Sequence, residues 1–226
     1  PDIADYPQPG LLRYAVEKGY AIDMNTLINP DWIKTNYSQA WQDLGTMTGP
    51  NGDIVAGIWA RANGKSFVFY PKKAFDEAGY KVPTTWQEMM DLTAQIASDG
   101  DTPWCIGIES GAGTGWTMTD WIEDLMLRVN GPEAYDNWVA GTLKFDSPEM
   151  NKVLDYIEAI WFNDAYVYGG RAAIPTINFG DAPKPMFENP PKCWFNRQGN
   201  FVTTFFPEEA VAGVDYSFFY LPPIDE

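Results

Sequence analysis

The sequence predicts an α/β fold with a mixed sheet, because segments typical of strands and of helices alternate along its 226 residues. Apolar runs at 53–62, 65–75 and 103–109 predict strands, and Pro71 ends the regular pairing of the second one. The run 103–109 is short, continuous and apolar, as strands buried on both faces of a parallel sheet are. Shorter runs at 193–195 and 216–223 predict later strands.

The predicted helices carry recognisable end signals. The first opens at Pro9 and closes at Gly19. In the second, Thr85 and Glu88 are spaced as a capping box, and Gly100 follows as the C-cap.

Three further helices are predicted in the second half of the chain. One ends at Asn130-Gly131, a shorter one follows at 132–141, and the last spans 146–163. Asp146 is its expected N-cap, with Glu149 completing a capping box. The segment 163–192 is proline-rich and predicts a long connection with at most one short helix.

Composition excludes several classes of function. The net charge of −16 and the pI near 4.2 argue against a nucleic-acid partner. With no histidine and two cysteines, the chain lacks the usual general base and the usual zinc ligands, so we expect no metal and no cofactor. No apolar run approaches the 18 residues of a membrane span. From the residues alone, the two cysteines form either one disulfide or two buried thiols.

The glycine-rich stretch 109–121, ESGAGTGWTMTDW, follows the predicted strand 103–109 directly. Gly111, Gly113 and Gly115 are spaced by two, which does not fit the dinucleotide-binding pattern, and Gly64-Lys65-Ser66 lacks the first glycine of a phosphate-binding loop. The glycines instead permit tight turns beside a ligand at the carboxyl end of a strand.

Acidic residues near this loop raise the alternative of a carbohydrate-active enzyme. Glu109, Asp120, Glu123 and Asp124 lie close in sequence, and glycoside hydrolases use two carboxyl groups across the bond they cleave. Glu123 and Asp124, however, fall on the polar side of an amphipathic helix, where we expect them to face solvent.

Three long stretches of the sequence, 57–96, 102–128 and 178–209, resemble one protein family. They begin GIWARANGKSFVFY, TPWCIGIESGAGTGW and NFGDAPKPMFEN, respectively. The resemblance is to the extracytoplasmic solute-binding proteins of bacterial carbohydrate ABC transporters, family 1, and within them to the α-glucoside-binding branch.

This resemblance implies a type II periplasmic-binding-protein fold of two lobes, of which the chain holds about half. Residues 1–66 would be part of the first lobe with a hinge strand, 67–220 most of the second lobe, and 221–226 the start of the return to the first lobe. The whole protein is expected to be an exported monomer, free in the periplasm or outside the cell or else tethered by a lipid. It would deliver a neutral sugar, an α-glucoside or gluco-oligosaccharide, to membrane permease subunits.

The resemblance also implies which residues contact the sugar in the cleft between the lobes. Trp116 would be the stacking surface, with packing in the core as its alternative. Hydrogen bonds would come from Thr114, Gly115 and Thr117 in the loop. The remaining expected contacts are Trp59, Arg61, Asn63, Arg171, Arg197 and Gln198, with a surface ion pair as the alternative for Arg61.

Within the resemblance, Cys105 and Cys193 lie on strands that lead to two facing loops of the second lobe. Adjacent parallel strands would bring the two thiols within bridging distance. We therefore predict a disulfide, as is common in exported proteins.

Overall fold

The computed structural model describes residues 2–7 and 9–224, and the chain divides into two compact units, Pro1–Ala62 and Asn63–Glu226. The predicted return segment 221–226 lies inside the second unit, and its last two residues are outside the described part of the chain. Each unit is described by itself below.

The first unit consists of three short helices and a hairpin. They are α1 (Pro9–Glu17), α2 (Pro30–Asn36), α3 (Gln39–Gly45), β1 (Thr46–Gly49) and β2 (Gly52–Val55). α1 begins at Pro9 as predicted, and Gly19 just beyond it adopts φ +70°, which suits a glycine. A small apolar cluster of Val16, Met47 and Ala56 packs α1 against the hairpin.

The strand predicted over 53–62 is wrong beyond Val55. β2 pairs antiparallel with β1 over four residues, from Gly49 opposite Gly52 to Thr46 opposite Val55. After Val55 the chain keeps one backbone hydrogen bond to this region, from Ala56 N to Gly45 O at 2.8 Å, and then leaves the hairpin.

A three-stranded antiparallel sheet forms the centre of the second unit. Its strands are β3 (Phe67–Tyr70), β4 (Asn196–Gln198) and β5 (Ser217–Tyr220), with β3 in the middle. The prediction for 65–75 is therefore right for the strand, but 72–75 belongs to a helix. The prediction for 193–195 is displaced, since regular pairing starts at Asn196, where β3 lies opposite.

The segment 103–109 is extended but does not form a regular strand, which corrects the prediction. It makes isolated parallel bridges, from Trp104 to Val167 and to Phe195 and from Glu109 to Asn178. These parallel bridges beside the antiparallel sheet give the mixed strand arrangement that the sequence predicts.

Four helices cover this sheet, namely α4 (Lys72–Glu77), α5 (Trp86–Ser98), α6 (Trp116–Val139) and α7 (Pro148–Trp161). Thr85 caps α5 by accepting a hydrogen bond from Glu88 N at 3.1 Å, as predicted. The Glu88 carboxylate accepts instead from Thr84 N at 2.7 Å, one residue earlier than a capping box requires. α6 is kinked at Gly131, whose φ of 82° ends the first helical segment and lets Pro132 open the second.

The N-cap predicted for the last helix is wrong by one residue. Ser147, not Asp146, caps α7, and its hydroxyl accepts from Met150 N at 3.2 Å. Glu149 therefore does not occupy the capping-box position. The connection 163–192 holds two single 3₁₀ turns, Arg171–Ala173 and Lys184–Phe187, rather than one short helix.

A large apolar core lies between the sheet and helices α5 to α7. Trp86, Trp121 and Trp161 all belong to it. A second cluster surrounds Cys105 and Cys193, which are joined by a disulfide with a Cα–Cα distance of 5.5 Å. None of the helices in the described residues has the length and apolar character needed to cross a membrane.

Candidate functional site

The glycine-rich loop is held in shape by Glu109. Its carboxylate accepts hydrogen bonds from Gly111 N at 2.6 Å and from the side-chain amide of Asn178 at 2.7 Å. These two donors hold the pKa of Glu109 below its usual range. Gly111 and Gly115 both have positive φ, so the turn requires glycine at these positions. Glu109 therefore anchors the loop as a carboxylate.

The two threonines that were expected to contact a ligand also bind the loop backbone. Thr114 Oγ1 donates to Gly111 O at 2.8 Å and accepts from Ser110 N at 3.0 Å. Thr117 is buried, and its hydroxyl lies 3.4 Å from Gly107 O. Both hydroxyls hold the turn that presents Trp116, and whether they also contact a ligand stays a prediction.

Trp116 begins α6 and lies in a half-exposed aromatic cluster. Its ring is 5.1 Å from Phe179 in an edge-to-face arrangement and 5.8 Å from Phe201, and Phe205 packs edge-on against Phe179 at 5.3 Å. We call Trp116, Phe179, Phe201 and Phe205 the aromatic cluster. Such a surface offers flat apolar faces at the edge of the unit.

A lysine and an aspartate lie beside the aromatic cluster. Lys65 Nζ is 4.9 Å from the ring centre of Trp116 and 5.1 Å from that of Phe201, a cation–π geometry. The same ammonium group pairs with Asp120 at 2.5 Å. The aromatic cluster therefore presents apolar ring faces, and Lys65 and Asp120 place one donor and one acceptor group beside it.

Sequence analysis missed Lys65, Phe179, Phe201 and Phe205 as members of this surface. They come from three segments that are far apart in the chain, and the fold alone brings them together. All four lie within stretches that carry the family resemblance, Lys65 in 57–96 and the three phenylalanines in 178–209, and that was the available signal.

Arg197, expected at the ligand, is buried in an ion-pair network. Its guanidinium donates to Asp124 Oδ2 at 2.7 Å and to Asp120 O at 3.1 Å, and it stacks on the Trp121 ring at 4.8 Å. Its side chain is 2% exposed. Gln198 is buried beside it. Arg197 therefore fastens β4 to α6.

Asp124 is not on a solvated face, which corrects the expectation. It also accepts from Arg128 Nε at 2.7 Å and from Ser66 Oγ at 2.6 Å. Burial opposes its charge, but the Arg197 guanidinium and the hydrogen bonds from Arg128 and Ser66 outweigh this and lower the pKa of Asp124. Glu123, by contrast, is exposed as expected.

Within the first unit, Trp59 lines an open groove of about 420 Å³. Its ring packs edge-on against Trp41 at 4.9 Å, and its indole N–H donates to Trp41 O at 2.8 Å. Arg61 pairs with Asp5 at 2.8 Å, and both side chains are more than 70% exposed, so the structure has the surface ion pair that was its alternative.

Two other candidates lie in the second unit. Arg171 is exposed, and its Nε is 3.7 Å from Asp164 Oδ1, which makes a loose surface pair. Asn63 is exposed at the start of the segment that leads to Lys65. In residues 2–7 and 9–224 there is no cluster of three or more His, Cys, Asp or Glu that could hold a metal ion.

Comparison with known proteins identifies related sequences over the whole chain. The profile of the family described as bacterial extracellular solute-binding protein matches residues 1–187. The chain is 43% identical over 232 residues to the alpha-glucosides-binding periplasmic protein AglE of Rhizobium meliloti (strain 1021), covering 100% of this chain and 50% of that protein. It is 41% identical over 226 residues to the osmoprotective compounds-binding protein GgtB of Synechocystis sp., covering 100% and 52%.

Among solved structures, a chitin oligosaccharide binding protein matches with a TM-score of 0.69 at 16% identity, over 95% of this chain and 50% of that one. At this identity the match is evidence for the fold alone. The type II periplasmic-binding-protein fold expected from the sequence is confirmed. The chain spans about half the length of the curated relatives it matches.

Proposed function

Because the chain belongs to the bacterial extracellular solute-binding protein family, we propose that the whole protein captures a neutral sugar and delivers it to an ABC permease. An α-glucoside or gluco-oligosaccharide is the proposed ligand. The name of the relative from Rhizobium meliloti supports this class, since the two sequences are 43% identical over this entire chain. The name of the relative from Synechocystis supports a small osmoprotective solute as the competing ligand.

The observation that carries the proposal is the aromatic cluster with its lysine–aspartate pair. A pyranose ring has two apolar faces of C–H groups and an equator of hydroxyl groups, so it needs a flat aromatic surface with polar groups at its border. Trp116 and Phe201 supply the surface, and Lys65 and Asp120 supply a donor and an acceptor next to it. The exposed Asn63 lies two residues from Lys65 and is a further proposed contact.

Binding in such a protein requires no covalent chemistry. The ligand would be held by stacking and by hydrogen bonds, in a cleft between two lobes that close around it by hinge motion. A closed form is favoured only by contacts that the sugar makes to both lobes, so the whole protein without sugar should remain mostly open. The lobe boundaries at 66 and 220, the monomeric state and the location outside the cytoplasm are part of this proposal.

An enzyme that uses a carboxylate pair is the second candidate, and the state of the four acids argues against it. Glu109 anchors the glycine-rich loop, Asp124 neutralises Arg197, and Asp120 pairs with Lys65. Glu123 is the exception: although its side chain is exposed, partial desolvation by the surrounding protein and the neighbouring Asp120 raise its pKa, as a general acid would need. A single carboxyl group with a raised pKa does not make a glycosidase site, because such a site needs a second, free carboxylate.

Calorimetric titration of the whole protein with maltose, trehalose, sucrose and trisaccharides separates these functions. The proposal predicts saturable 1:1 binding of at least one glucoside and full recovery of the intact sugar afterwards. Release of monosaccharides during the same incubation would establish the enzyme instead. Flat titrations with every sugar, together with binding of a non-sugar osmolyte such as glycine betaine, would overturn the sugar assignment.

A further inference from the structure

A small cavity lined by buried residues lies in the second unit where β4, α6, α7 and the segment 105–107 meet. Its volume is about 10 Å³, and its walls include Thr117 of α6, Trp161 of α7, and Asn196 and Arg197 of β4. It lies among core residues and is too small for a sugar.

Three buried polar atoms belong to residues in the walls of this cavity. They are Trp161 Nε1, Asn196 Oδ1 and Arg197 Nε, and none has a hydrogen-bond partner among the described residues. All three residues are more than nine-tenths buried. Polar groups buried in native proteins are almost always paired with protein or with ordered water, so three such atoms around one cavity call for a common partner.

The remaining groups of Asn196 and Arg197 are already fixed, which prevents simple reorientation toward other protein atoms. Asn196 Nδ2 donates to Cys105 O at 2.8 Å, and this bond determines which end of the amide carries the free oxygen. Arg197 Nη2 is held by Asp124 Oδ2 and Asp120 O. Nε of Arg197 and Oδ1 of Asn196 are therefore left to the cavity.

We propose that this cavity binds one structural water molecule. A single buried water needs about 10–15 Å³ of such space and two to four polar partners. The water accepts from the N–H groups of Trp161 and Arg197 and donates one proton to Asn196 Oδ1. Its second proton points to Thr117 Oγ1, which lines the same cavity and makes only a 3.4 Å bond to Gly107 O.

Such a water links Trp161 of α7 to β4 and α6, which Arg197 already joins to each other. It also completes the hydrogen bonding of Arg197, whose guanidinium holds α6 through Asp120 and Asp124. Since Trp116 begins α6, Arg197 supports the helix that presents the aromatic cluster.

Trp194 provides a matched control within the same core. Its indole Nε1 is also buried without a partner among the described residues, but Trp194 is not part of the cavity wall. A long-lived water in the cavity therefore contacts the indole N–H of Trp161, whereas any partner of the Trp194 indole lies outside this cavity.

Water-selective nuclear Overhauser spectroscopy of the ¹⁵N-labelled chain tests this directly. We expect a cross-peak between a long-lived water and the Trp161 indole N–H. Trp161→Phe removes the cross-peak and Trp194→Phe keeps it; if either variant does not fold, backbone-based assignment of the native protein identifies both indoles. A native Trp161 indole signal without a water cross-peak would overturn the proposal.

A crystal structure gives an independent answer. The proposal requires an ordered water within about 2.7–3.2 Å of both Trp161 Nε1 and Asn196 Oδ1. Direct pairing of these atoms with other protein groups, or a closed and dry cavity, would contradict it.

Discussion

The two units of the chain differ sharply in how well they bury their apolar side chains. Among the described residues of Asn63–Glu226, twenty-five buried residues form one core, and six more, including the two disulfide-bonded cysteines, form a second cluster. In Pro1–Ala62 the buried cluster has three members. Yet the described part of this smaller unit exposes ten large apolar side chains, namely Ile3, Tyr6, Leu11, Tyr14, Tyr20, Ile22, Leu27, Trp32, Trp41 and Leu44. The unit of 164 residues exposes the same number.

This contrast indicates where the stability of the chain resides. A segment of about 60 residues buries only about 60% of its unfolded surface even when well packed, and its stability is marginal. Exposed apolar side chains at this density are typical of surfaces that other protein groups cover. We therefore expect Asn63–Glu226 to carry the cooperative unfolding transition, and Pro1–Ala62 to contribute little to it.

Loss of the disulfide should have the largest effect on the stability of the second unit. The bond between Cys105 and Cys193 spans 88 residues, all within the second unit. On chain entropy alone, the double variant Cys105→Ala/Cys193→Ala loses about 4–5 kcal/mol of unfolding free energy, and its Tm falls by about 10–15 °C. Thermal unfolding followed by circular dichroism measures this. A main transition that is unchanged in the variant would mean that it does not arise from the second unit.

Removal of the buried Asp124 charge should have the second-largest effect on stability. Asp124→Asn leaves the Arg197 guanidinium buried without its carboxylate, which typically costs about 3–5 kcal/mol. Asp76→Asn is the matched control, since it removes an exposed pair with Lys72 on the same unit and should leave Tm unchanged. Equal effects of the two variants would show that the network around Arg197 is not structural.

The same carboxyl group gives a pH dependence with a defined sign. Because the folded-state pKa of Asp124 is lowered, its contribution is fully present above the unfolded value near 4 and is lost as pH falls through the folded pKa. Denaturant titrations at a series of acidic pH values should therefore show stability falling below about pH 4 in the native chain. In Asp124→Asn this part of the decrease should be absent, and an unchanged slope would contradict the assignment.

The smallest expected loss of stability comes from removing the N-cap of α7. Ser147→Ala removes the hydroxyl that accepts from Met150 N and should cost about 1 kcal/mol. Asp146→Ala, one residue earlier, should cost clearly less. Urea unfolding measures the loss of stability in both variants. A larger loss for Asp146→Ala than for Ser147→Ala would show that Asp146 is the N-cap, as expected from the sequence.

The elements that local sequence determines were predictable. α5 has a capping residue and a regular apolar face, α6 has its break at Gly131-Pro132, and β5 is a compact aromatic run; all three follow signals in the local sequence. Strand lengths were not predictable, because a strand extends only where a partner lies opposite. β2 stops at Val55 for this reason, and the extended segment 103–109 makes only isolated bridges.

The candidate site was likewise predictable only where local sequence determines it. Trp116 stands out locally, since it follows three glycines that need a tight turn and it begins a helix. Lys65, Phe179 and Phe201 have no such local signal, because tertiary structure alone places them around Trp116. The buried ion pair of Arg197 was not predictable, because its partner, Asp124, lies 73 residues away in sequence.

We infer that Trp116 contacts a ligand at the edge of the second unit and is not part of its core. In the whole protein, Trp116→Ala should weaken binding of the glucoside found by titration about ten- to a hundredfold, since burial of an aromatic face against a sugar contributes on the order of 1.5–3 kcal/mol. Its Tm without sugar should fall much less than that of Trp121→Ala, a core change in the same helix that costs about 3–5 kcal/mol. Calorimetric affinity and ligand-free Tm are measured together on both variants. Unchanged affinity for Trp116→Ala, with a loss of Tm as large as that of Trp121→Ala, would contradict the account.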